Sequence, residues 1–487
     1  MSRPDRLRQL IVVGVLVILA LAALRDLSRL GAGLPWRTMD EFADFYCAGS
    51  ALNHRASPYT YEPLRTCEHL VNSGTNFRGK LFASNPGIAV PAPQPPYDFV
   101  AFMALARLPI ATARRIDAFA IVASVVLCAI ALAGMGVPLD VAAAALLLST
   151  GFVELNTAQI VPFALLAFVL GGLALARRRE ALAGVLAALT AIEPTVGVPV
   201  IVATLLFVPR ARIAVTVTTL LLILAAVAVV GARSAVEYLT LVLPAHAGSE
   251  IRFPFQYSLT YALASAGLAP AVARFAGTLS YFILFAIGLM LAPRLQRALG
   301  RRELLIFIPA LCAVIAGAFL HQEELCFALP AILVLAVATQ GPIRSVFAIA
   351  VCVLSIPWLL VWGEKQLLLA AIFVCAVILL RLRIDLRVAL VTLCALAATM
   401  YLFELAPPHL PIPAQIERVY APHELAQREW RNYTDQRSTR DFLWLAIKIP
   451  TWLALLAALA IAARLARGPS QSAIAEGRLE VSTSRRI

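Results

Sequence analysis

The sequence predicts an all-α membrane protein whose helices cross the bilayer many times. Of its 487 residues, 61% are hydrophobic and only 14% are charged. Soluble domains are about 45–50% apolar, so this composition excludes an ordinary soluble enzyme. The charged residues also cluster between apolar runs, as expected of a bundle of transmembrane helices. The formal net charge of +13 comes mainly from arginines in short loops, where they orient helices, and it does not indicate nucleic-acid binding.

Apolar segments along the chain predict a bundle of about 12–14 transmembrane helices. Several segments are shorter than the ~20 residues that a perpendicular span needs, so we expect extended helix ends or a locally thinned bilayer. The first segment follows a basic start and leads to no small-x-small cleavage site, which favours an uncleaved anchor over a signal peptide. The segments lie at 10–24, 113–134, 138–152, 159–176, 181–193, 194–208, 213–231, 270–292, 303–319, 325–339, 344–362, 366–381, 386–403 and 442–464.

Short arginine-rich loops fix the expected orientation, because such loops stay on the cytoplasmic side. All of them face that side if both termini are cytoplasmic and the segment 98–109 does not cross. We therefore expect 98–109 to form an interfacial or re-entrant helix within a first periplasmic loop, 31–112, and a late periplasmic loop at 404–441. Residues 1–467 then form one domain in the inner (plasma) membrane, and 468–487 form a cytoplasmic tail expected to be disordered. The orienting residues are Arg177, Arg178, Arg179, Arg210, Arg212, Arg294, Arg297, Arg301, Arg302, Arg381, Arg383 and Arg387.

The first loop is the most informative part of the chain. It is polar and rich in proline and aromatic residues, and it opens with three carboxylates, Asp40, Glu41 and Asp44. Long irregular segments outside the bilayer usually carry binding or chemistry. We therefore expect the functional site to be built around this loop.

Two of the eight cysteines, Cys47 and Cys67, also lie in the first loop. In an oxidising periplasm a disulfide between them would close a loop of roughly 20 residues and stabilise the fold by about 3 kcal/mol. Two unrelated free thiols are the alternative. The remaining cysteines, in or beside apolar spans where cysteine usually packs, are Cys128, Cys312, Cys326, Cys352, Cys375 and Cys394.

The run DEFADFYCAGSALNHRASPY, followed by PQPPYDFVAFMALARLP, resembles the first external loop of glycosyltransferase family 87. Further similarity lies in NTAQIVPF, AGVLAALTAIEPTVGVP and QYSL, and in the stretch that begins at His321. The order and spacing of these motifs cover residues 40–330. The acidic position of the family falls on Glu41. The chain departs from the family pattern at Glu193, where a lysine is usual, and at Gln322, where a second histidine is frequent.

This resemblance implies a GT-C-like helical bundle and a polyprenyl-phosphate-mannose-dependent enzyme. The donor would be a polyprenyl-phosphate-linked hexose, mannose by resemblance. The hexose would be transferred with inversion to an extracytoplasmic glycan or glycolipid. We expect no cofactor, and the sequence gives no support for a metal, because it lacks His-x-x-His and Cys-x-x-Cys pairs and the Asp-x-Asp pair of nucleotide-sugar enzymes.

The carboxylates Asp40, Glu41 and Asp44 are candidates for the catalytic base. Sugar transfer from a lipid phosphate needs a general base on the acceptor hydroxyl, at the depth of the lipid headgroup. On a helical turn, positions 40 and 44 share a face, and their mutual repulsion would raise the pKa of at least one carboxyl. The alternative is a solvated helix start that carries acids at its positive end.

A leaving phosphate needs cationic partners. Arg114 and Arg115, at the outer end of the second span, are the expected pair, and ordinary snorkelling arginines are the alternative. His321 would act as a second acid or base or bind the phosphate, unless it is a surface histidine beside carboxylates. Further arginines that could bind the phosphate are Arg252, Arg418, Arg428, Arg431, Arg437 and Arg440.

Three polar residues are candidates for sugar binding. Asn156 and Gln159 could hydrogen-bond sugar hydroxyls, although both could equally cap a helix. Glu193 is a carboxylate at a membrane helix end, where such groups tend to be functional, or it caps a hairpin broken at Pro194. The aromatic residues Trp430, Tyr433 and Trp444 could stack on sugar rings or belong to an interfacial aromatic belt.

Two other functions compete with glycosyl transfer. A membrane transporter or a flippase for lipid-linked sugars would need inverted repeats and paired charges near the midplane, and the sequence offers little beyond Glu193. A structural membrane subunit would need only loops that bind a partner. A flux assay with a labelled soluble solute would identify a transporter. Loss of activity on replacement of Asp40, Glu41 and Asp44 would distinguish an enzyme from a structural subunit.

Overall fold

The structure, a computed structural model, describes residues 14, 17–22, 39–72, 81–82, 85–315, 317–361, 367–411, 420–439 and 441–467. Within these ranges the chain is helical and contains no strand. One isolated antiparallel bridge joins Thr60 to Leu425. The all-α prediction is therefore confirmed, whereas most of the first apolar segment and the tail at 468–487 lie outside the described residues.

Helices of very different length make up the bundle. Short 3-10 turns occupy Pro96–Asp98, Thr190–Ile192, Pro209–Ala211 and Glu323–Ala328, and π-helical turns occupy Leu147–Phe152 and Tyr238–Val242. The α-helices are Phe42–Asn53, Tyr61–Val71, Phe99–Leu105, Ile110–Ala133, Leu139–Leu146, Val153–Thr157, Val161–Ala176, Glu180–Leu189, Pro194–Phe207, Arg212–Glu237, Leu243–Ser249, Leu259–Ser265, Pro270–Leu299, Leu304–Ala313, Leu329–Ala338, Gly341–Leu354, Trp358–Val361, Leu367–Arg381, Leu386–Leu405, Ala426–Arg437, Leu443–Ala446 and Ile449–Ala466.

Six helical segments among the described residues are long and apolar enough to cross a bilayer. This confirms a polytopic membrane protein. Most of the other predicted spans correspond to shorter apolar helices of 10–17 residues, which fall below the ~20 residues of a perpendicular span. The six are Ile110–Ala133, Leu139–Thr157, Pro209–Ser249, Pro270–Leu299, Leu386–Leu405 and Leu443–Ala466.

The segment 98–109, predicted not to cross, contains the seven-residue helix Phe99–Leu105. This helix is too short to span, and it packs against the helix Phe42–Asn53. Phe45 and Phe102 meet there with ring centres 5.1 Å apart. The approach is so close that a Cβ on Gly49 would lie 2.4 Å from the carbonyl carbon of Phe102. Glycine at this position therefore lets the two helices of the first loop touch.

The hairpin predicted to break at Glu193 does break there. The 3-10 turn Thr190–Ile192 ends at Glu193, whose backbone is extended, and a new helix starts at Pro194. The residue before a proline is disfavoured in helical conformation, so the sequence itself dictates this break. The carboxylate of Glu193 accepts a hydrogen bond from the backbone N–H of Thr195 at 3.3 Å.

Both predicted external loops contact each other. The N–H of Tyr61 donates to the carbonyl of Glu424 at 2.7 Å, and the N–H of Ala426 donates to the carbonyl of Tyr59 at 3.0 Å. These bonds flank the bridge at Thr60. The helix Ala426–Arg437 is thereby held beside the first loop, over the ends of the membrane helices.

Candidate active site

A cavity of about 710 Å³ lies between the first loop, the ends of several membrane helices and the helix Ala426–Arg437. This volume falls in the range of about 300–1,000 Å³ that is usual for ligand sites. The cavity brings together residues that the sequence analysis singled out from distant parts of the chain. They are Asp40, Glu41, Asp44, Gln159, Glu193, His321, Trp430, Tyr433 and Arg437.

The acidic start of the first loop is fixed by backbone hydrogen bonds. The N–H of Asp40 donates to the carbonyl of Asn156 at 2.8 Å, and the N–H of Glu41 donates to the carbonyl of Thr157 at 2.9 Å. These carbonyls are at the end of a short helix, where helical partners are missing. Ala158 ends that helix in the left-handed conformation, with φ of 64°. The acidic segment therefore satisfies the last carbonyls of the helix and is held against it.

The three carboxylates line the cavity in different environments. Asp44 lies in the first turn of the helix Phe42–Asn53 and is only 2% exposed, whereas Asp40 and Glu41 are half-buried. The carboxylate of Glu41 accepts a hydrogen bond from the side-chain amide of Gln159. Gln94 in turn donates to Gln159 Oε1 at 3.5 Å. Glu41 is thus both accessible from the cavity and held in place by polar neighbours.

His321 and Glu250 form a second polar group in the cavity lining. His321 Nε2 lies 2.8 Å from Glu250 Oε2. Gln256 Nε2 lies 3.1 Å from the same carboxylate oxygen, and Trp430 Nε1 donates to Glu250 Oε1 at 2.6 Å. His246 Nε2 is 3.9 Å from Glu250 Oε1. Buried charges need partners of this kind, and Glu250 has them on both oxygens.

The charges of this pair stabilise each other. Burial lowers the pKa of His321, but Glu250 and the nearby Glu324 and Glu323 outweigh it and raise that pKa to about 10. Burial raises the pKa of Glu250, but His321 and the other hydrogen-bond partners lower it to about 2. Opposite charges in close contact favour the ionised forms. At neutral pH the pair is therefore an imidazolium and a carboxylate.

Glu323 and Glu324 lie directly beside His321. The backbone N–H of His321 donates to Glu324 Oε2 at 2.7 Å. Burial raises the pKa of Glu324 to about 8, with the charges of Glu193 and Glu323 acting in the same direction against that of His321. One ligand atom each from His321, Glu323 and Glu324 lie within 4.8 Å of one another. The residues at this end of the cavity are mainly acidic.

The helix Ala426–Arg437 closes one side of the cavity with aromatic rings and a cation. The rings of Trp430 and Tyr433 stack with centres 5.0 Å apart. The guanidinium carbon of Arg437 lies 5.4 Å from the centre of the Tyr433 ring. The hydroxyl of Thr434 donates to the carbonyl of Ser249, which joins this helix to the loop that carries Glu250. This wall thus offers flat apolar surface next to one cation.

Part of the cavity wall faces the apolar exterior of the bundle. Phe282, on the span Pro270–Leu299, lines the cavity and is 58% exposed, and Leu243, on the span Pro209–Ser249, lines it and is 42% exposed. These side chains belong to spans whose apolar windows are only 22% and 11% buried inside the protein. The cavity is therefore bordered by surfaces that would contact lipid tails.

Several predicted site residues lie elsewhere. Arg114 is half-buried and within electrostatic range of Asp40, and Arg115 is exposed. The side-chain amide of Asn156 donates to the carbonyl of Phe152 at 2.8 Å, within its own helix. Among the described residues none of these three lines the cavity. Other predicted residues away from it are Trp444, Arg252, Arg428 and Arg431, whereas Arg418 and Arg440 lie outside the described residues.

Cys47 and Cys67 form a disulfide with Cα atoms 5.7 Å apart, which is the pairing that the sequence analysis allowed. It joins the helices Phe42–Asn53 and Tyr61–Val71 of the first loop. The bond therefore braces the loop that carries the acidic segment, although neither cysteine lines the cavity.

Sequence reasoning missed Glu250 and His246. Both lie in a stretch that looked like an ordinary external loop, and both are buried in the structure. Their i, i+4 spacing places them on one helical face, which was the available signal. The identity of their partner, His321, depends on tertiary contact and leaves no local pattern.

The middle of the chain is similar to a known protein family. Residues 94–322 match the model of glycosyltransferase family 87. No curated protein and no solved structure matches the chain. The matched range contains Gln159, Glu193, Glu250 and His321 of the cavity, whereas the acidic trio precedes it. This match covers 229 of the 487 residues and agrees with the family that the sequence motifs resemble. Together with the six apolar helices long enough to cross a bilayer, it supports a membrane glycosyltransferase.

Proposed function

We propose that this protein transfers a hexose, by resemblance mannose, from a polyprenyl-phosphate donor to a hydroxyl of an extracytoplasmic glycan or glycolipid. One observation supports this most. The acids of the first loop line the same cavity as His321 and Arg437, and that cavity borders the apolar exterior of the bundle. A base, cationic groups and a lipid-facing wall are the three elements that such a reaction needs.

Glu41 is the carboxylate best suited to act as the base. It occupies the acidic position of the family motif, faces the cavity and is held by Gln159. A general base must reach the proton that it abstracts, and Asp44 is almost completely buried. Asp40 and Asp44 line the same cavity and add negative charge near Glu41.

The proposed reaction is a direct displacement. The acceptor oxygen attacks the anomeric carbon from the face opposite the phosphate, the bond between that carbon and the phosphate oxygen breaks, and the acceptor proton passes to Glu41. The released electron pair stays on the polyprenyl phosphate. One displacement from the opposite face inverts the anomeric configuration.

Arg437 and His321 would meet the phosphate. Both line the cavity, and charge-assisted hydrogen bonds to phosphate are stronger than neutral ones. Glu250 keeps His321 charged and oriented. Arg114 and Arg115, the pair expected from the sequence, are not among the described residues that line the cavity. Arg437 and His321 line it and are therefore the better candidates for phosphate binding.

The remaining walls suit the two ends of the donor. Gln159 and Glu193 present hydrogen-bonding groups for sugar hydroxyls, and Trp430 presents an aromatic ring. The polyprenyl chain would leave the cavity past Leu243 and Phe282, whose side chains are exposed on the outer surface of the bundle. Burial of each CH₂ contributes about 0.8 kcal/mol, so such a surface binds a long hydrocarbon chain well.

In the proposed orientation, the protein lies in the inner membrane with both termini in the cytoplasm and the cavity on the periplasmic side. A panel of radiolabelled polyprenyl-phosphate sugars, added to membranes that contain the protein, tests the donor. We expect label to enter a glycan or glycolipid from one donor. Transfer from soluble nucleotide sugars alone would contradict the proposal. A cysteine introduced at Asn53 should react with an impermeant reagent from the periplasmic side, and reaction only from the cytoplasm would contradict the orientation.

A further inference from the structure

The cavity has many more carboxylates than cationic groups. The charged residues that border it include one arginine and two histidines. A phosphate-bearing donor would add further negative charge, and like charges in a low-dielectric site repel strongly. Some additional positive charge is therefore expected near the phosphate. The bordering acids are Asp40, Glu41, Asp44, Glu193, Glu250, Glu323 and Glu324.

We propose that His321, Glu323 and Glu324 bind a divalent cation at this end of the cavity, with Glu154 as a further ligand. Ligand atoms of the first three residues already lie within 4.8 Å of one another. Three ligand groups at that mutual spacing can coordinate one ion after small rotamer changes. Three of the ligands lie at or just before the 3-10 turn Glu323–Ala328, and Glu154 lies on the distant helix Val153–Thr157. For that reason no short metal-binding motif marks the site in the sequence.

Glu154 is an independent observation that points to a cation. Its side chain is fully buried, and neither carboxylate oxygen meets a donor at hydrogen-bond geometry among the described residues, although the backbone of Gln159 lies close enough to favour its charge. It lies within electrostatic range of Glu323, Glu324 and Glu41. An unpartnered carboxylate buried next to other carboxylates is costly. A bound cation would give its oxygens the partner that they lack.

The ligands indicate which ion would bind. Several carboxylate oxygens with one imidazole favour a hard or borderline ion such as Mg²⁺ or Mn²⁺ over a thiophilic one. His321 Nε2 is held by Glu250, so its other ring nitrogen is the one left to ligate. A carboxylate on the second nitrogen is the usual support of a metal-bound histidine. The cation would replace the proton that His321 otherwise holds on that nitrogen, since metal binding releases protons. With the ion bound, the ion would contact the donor phosphate in place of His321.

Mn²⁺ titration of the full chain tests the site without any sugar substrate. The purified protein, reconstituted in nanodiscs and treated with a chelator, is titrated with MnCl₂, and free Mn²⁺ is followed by electron paramagnetic resonance. We expect one bound ion per chain, and Mg²⁺ should displace it. Glu323→Gln, Glu324→Gln and Glu154→Gln should each weaken binding by about tenfold or more.

Two controls make the outcome decisive. Glu237→Gln removes a half-buried acid that pairs with Arg233 and does not line the cavity. Its Mn²⁺ binding should equal that of the unchanged protein. Glu323→Asp keeps a carboxylate in place, so it should retain most of the affinity even if the Gln variants fold poorly. No binding at millimolar Mn²⁺, or unchanged binding in the Glu323→Gln/Glu324→Gln variant, would overturn the site. Because the titration uses no donor, its result is separate from that of the sugar-transfer assays.

Discussion

His321 Nε2 lies 2.8 Å from Glu250 Oε2, although the two residues are 71 positions apart in the chain. This contact joins the loop after one long span to the segment before the 3-10 turn Glu323–Ala328. Trp430, from the late loop, donates to the other oxygen of the same carboxylate. One buried acid therefore connects three separate parts of the chain at the cavity.

Replacement of Glu250 tests whether this contact matters for activity. In Glu250→Gln the charge that holds His321 is lost, while the shape of the side chain is kept. Hydrogen bonds to charged groups contribute about 1.5–3 kcal/mol, so we expect the rate of sugar transfer to fall by about 10-fold to 100-fold. Initial rates in reconstituted membranes check this, with Glu237→Gln, outside the cavity lining, as the matched control. An unchanged rate in a folded Glu250→Gln protein would remove His321 from the proposed phosphate site.

Substitution of Glu41 separates its catalytic role from donor binding. A general base contributes about 10²–10⁴-fold to a rate, so Glu41→Gln should lose activity on that scale while donor affinity stays similar. The measurement is kcat together with donor KM. Asp40→Asn is the comparison at the neighbouring position and should be much less severe. Equal losses in both variants would indicate that the acidic segment acts as a unit and that Glu41 is not the base.

Arg437 offers a test of the phosphate contact. In Arg437→Gln the cavity loses its one arginine among the described lining residues. A charge-assisted hydrogen bond of about 1.5–3 kcal/mol then disappears, and we expect donor KM to rise by about 10-fold to 100-fold. Arg431→Gln, on the same helix but exposed, is the control. A normal KM in Arg437→Gln would place the phosphate elsewhere, and Arg114 would then be the next residue to test.

Gly49 offers a test of how the first loop is built. A Cβ there would meet the Phe102 backbone at 2.4 Å. Gly49→Ala must therefore push the helices Phe42–Asn53 and Phe99–Leu105 apart. Overpacking costs about 1–3 kcal/mol, and we expect a lower thermal unfolding temperature. At Gly151 the nearest atom to an added Cβ is 3.6 Å away, which makes Gly151→Ala the matched control. Equal stability of the two variants would show that the two helices of the first loop do not pack as described.

Local signals in the sequence predicted much of the fold. Apolar runs indicated the membrane helices, and Pro194 indicated the break after Glu193. The shortness of 98–109 indicated that it does not cross. These features depend on residues that are close in sequence, so composition and spacing reveal them. The same reasoning placed Asp40, Glu41 and Asp44 at a helix start, and Asp44 does lie in the first turn of the helix Phe42–Asn53.

The contacts across the cavity could not be predicted in this way. Glu250 contacts His321 and Trp430 only after the bundle has formed. Trp430 is 180 positions away from Glu250 in the chain. Asn156 and Gln159 looked equivalent in the sequence, yet one amide bonds its own helix and the other bonds Glu41. Which face a polar side chain presents to a cavity is decided by tertiary packing, and a single sequence carries little information about it.

Transfer of radiolabelled mannose from polyprenyl-phosphate mannose by the purified, reconstituted protein tests the central claim most directly. The comparison is between the unchanged chain and a variant in which Asp40→Asn, Glu41→Gln and Asp44→Asn are combined. We predict label in a glycan or glycolipid product with the unchanged chain and none above background with the folded triple variant. Equal transfer by both proteins would contradict a catalytic role for the acids of the first loop.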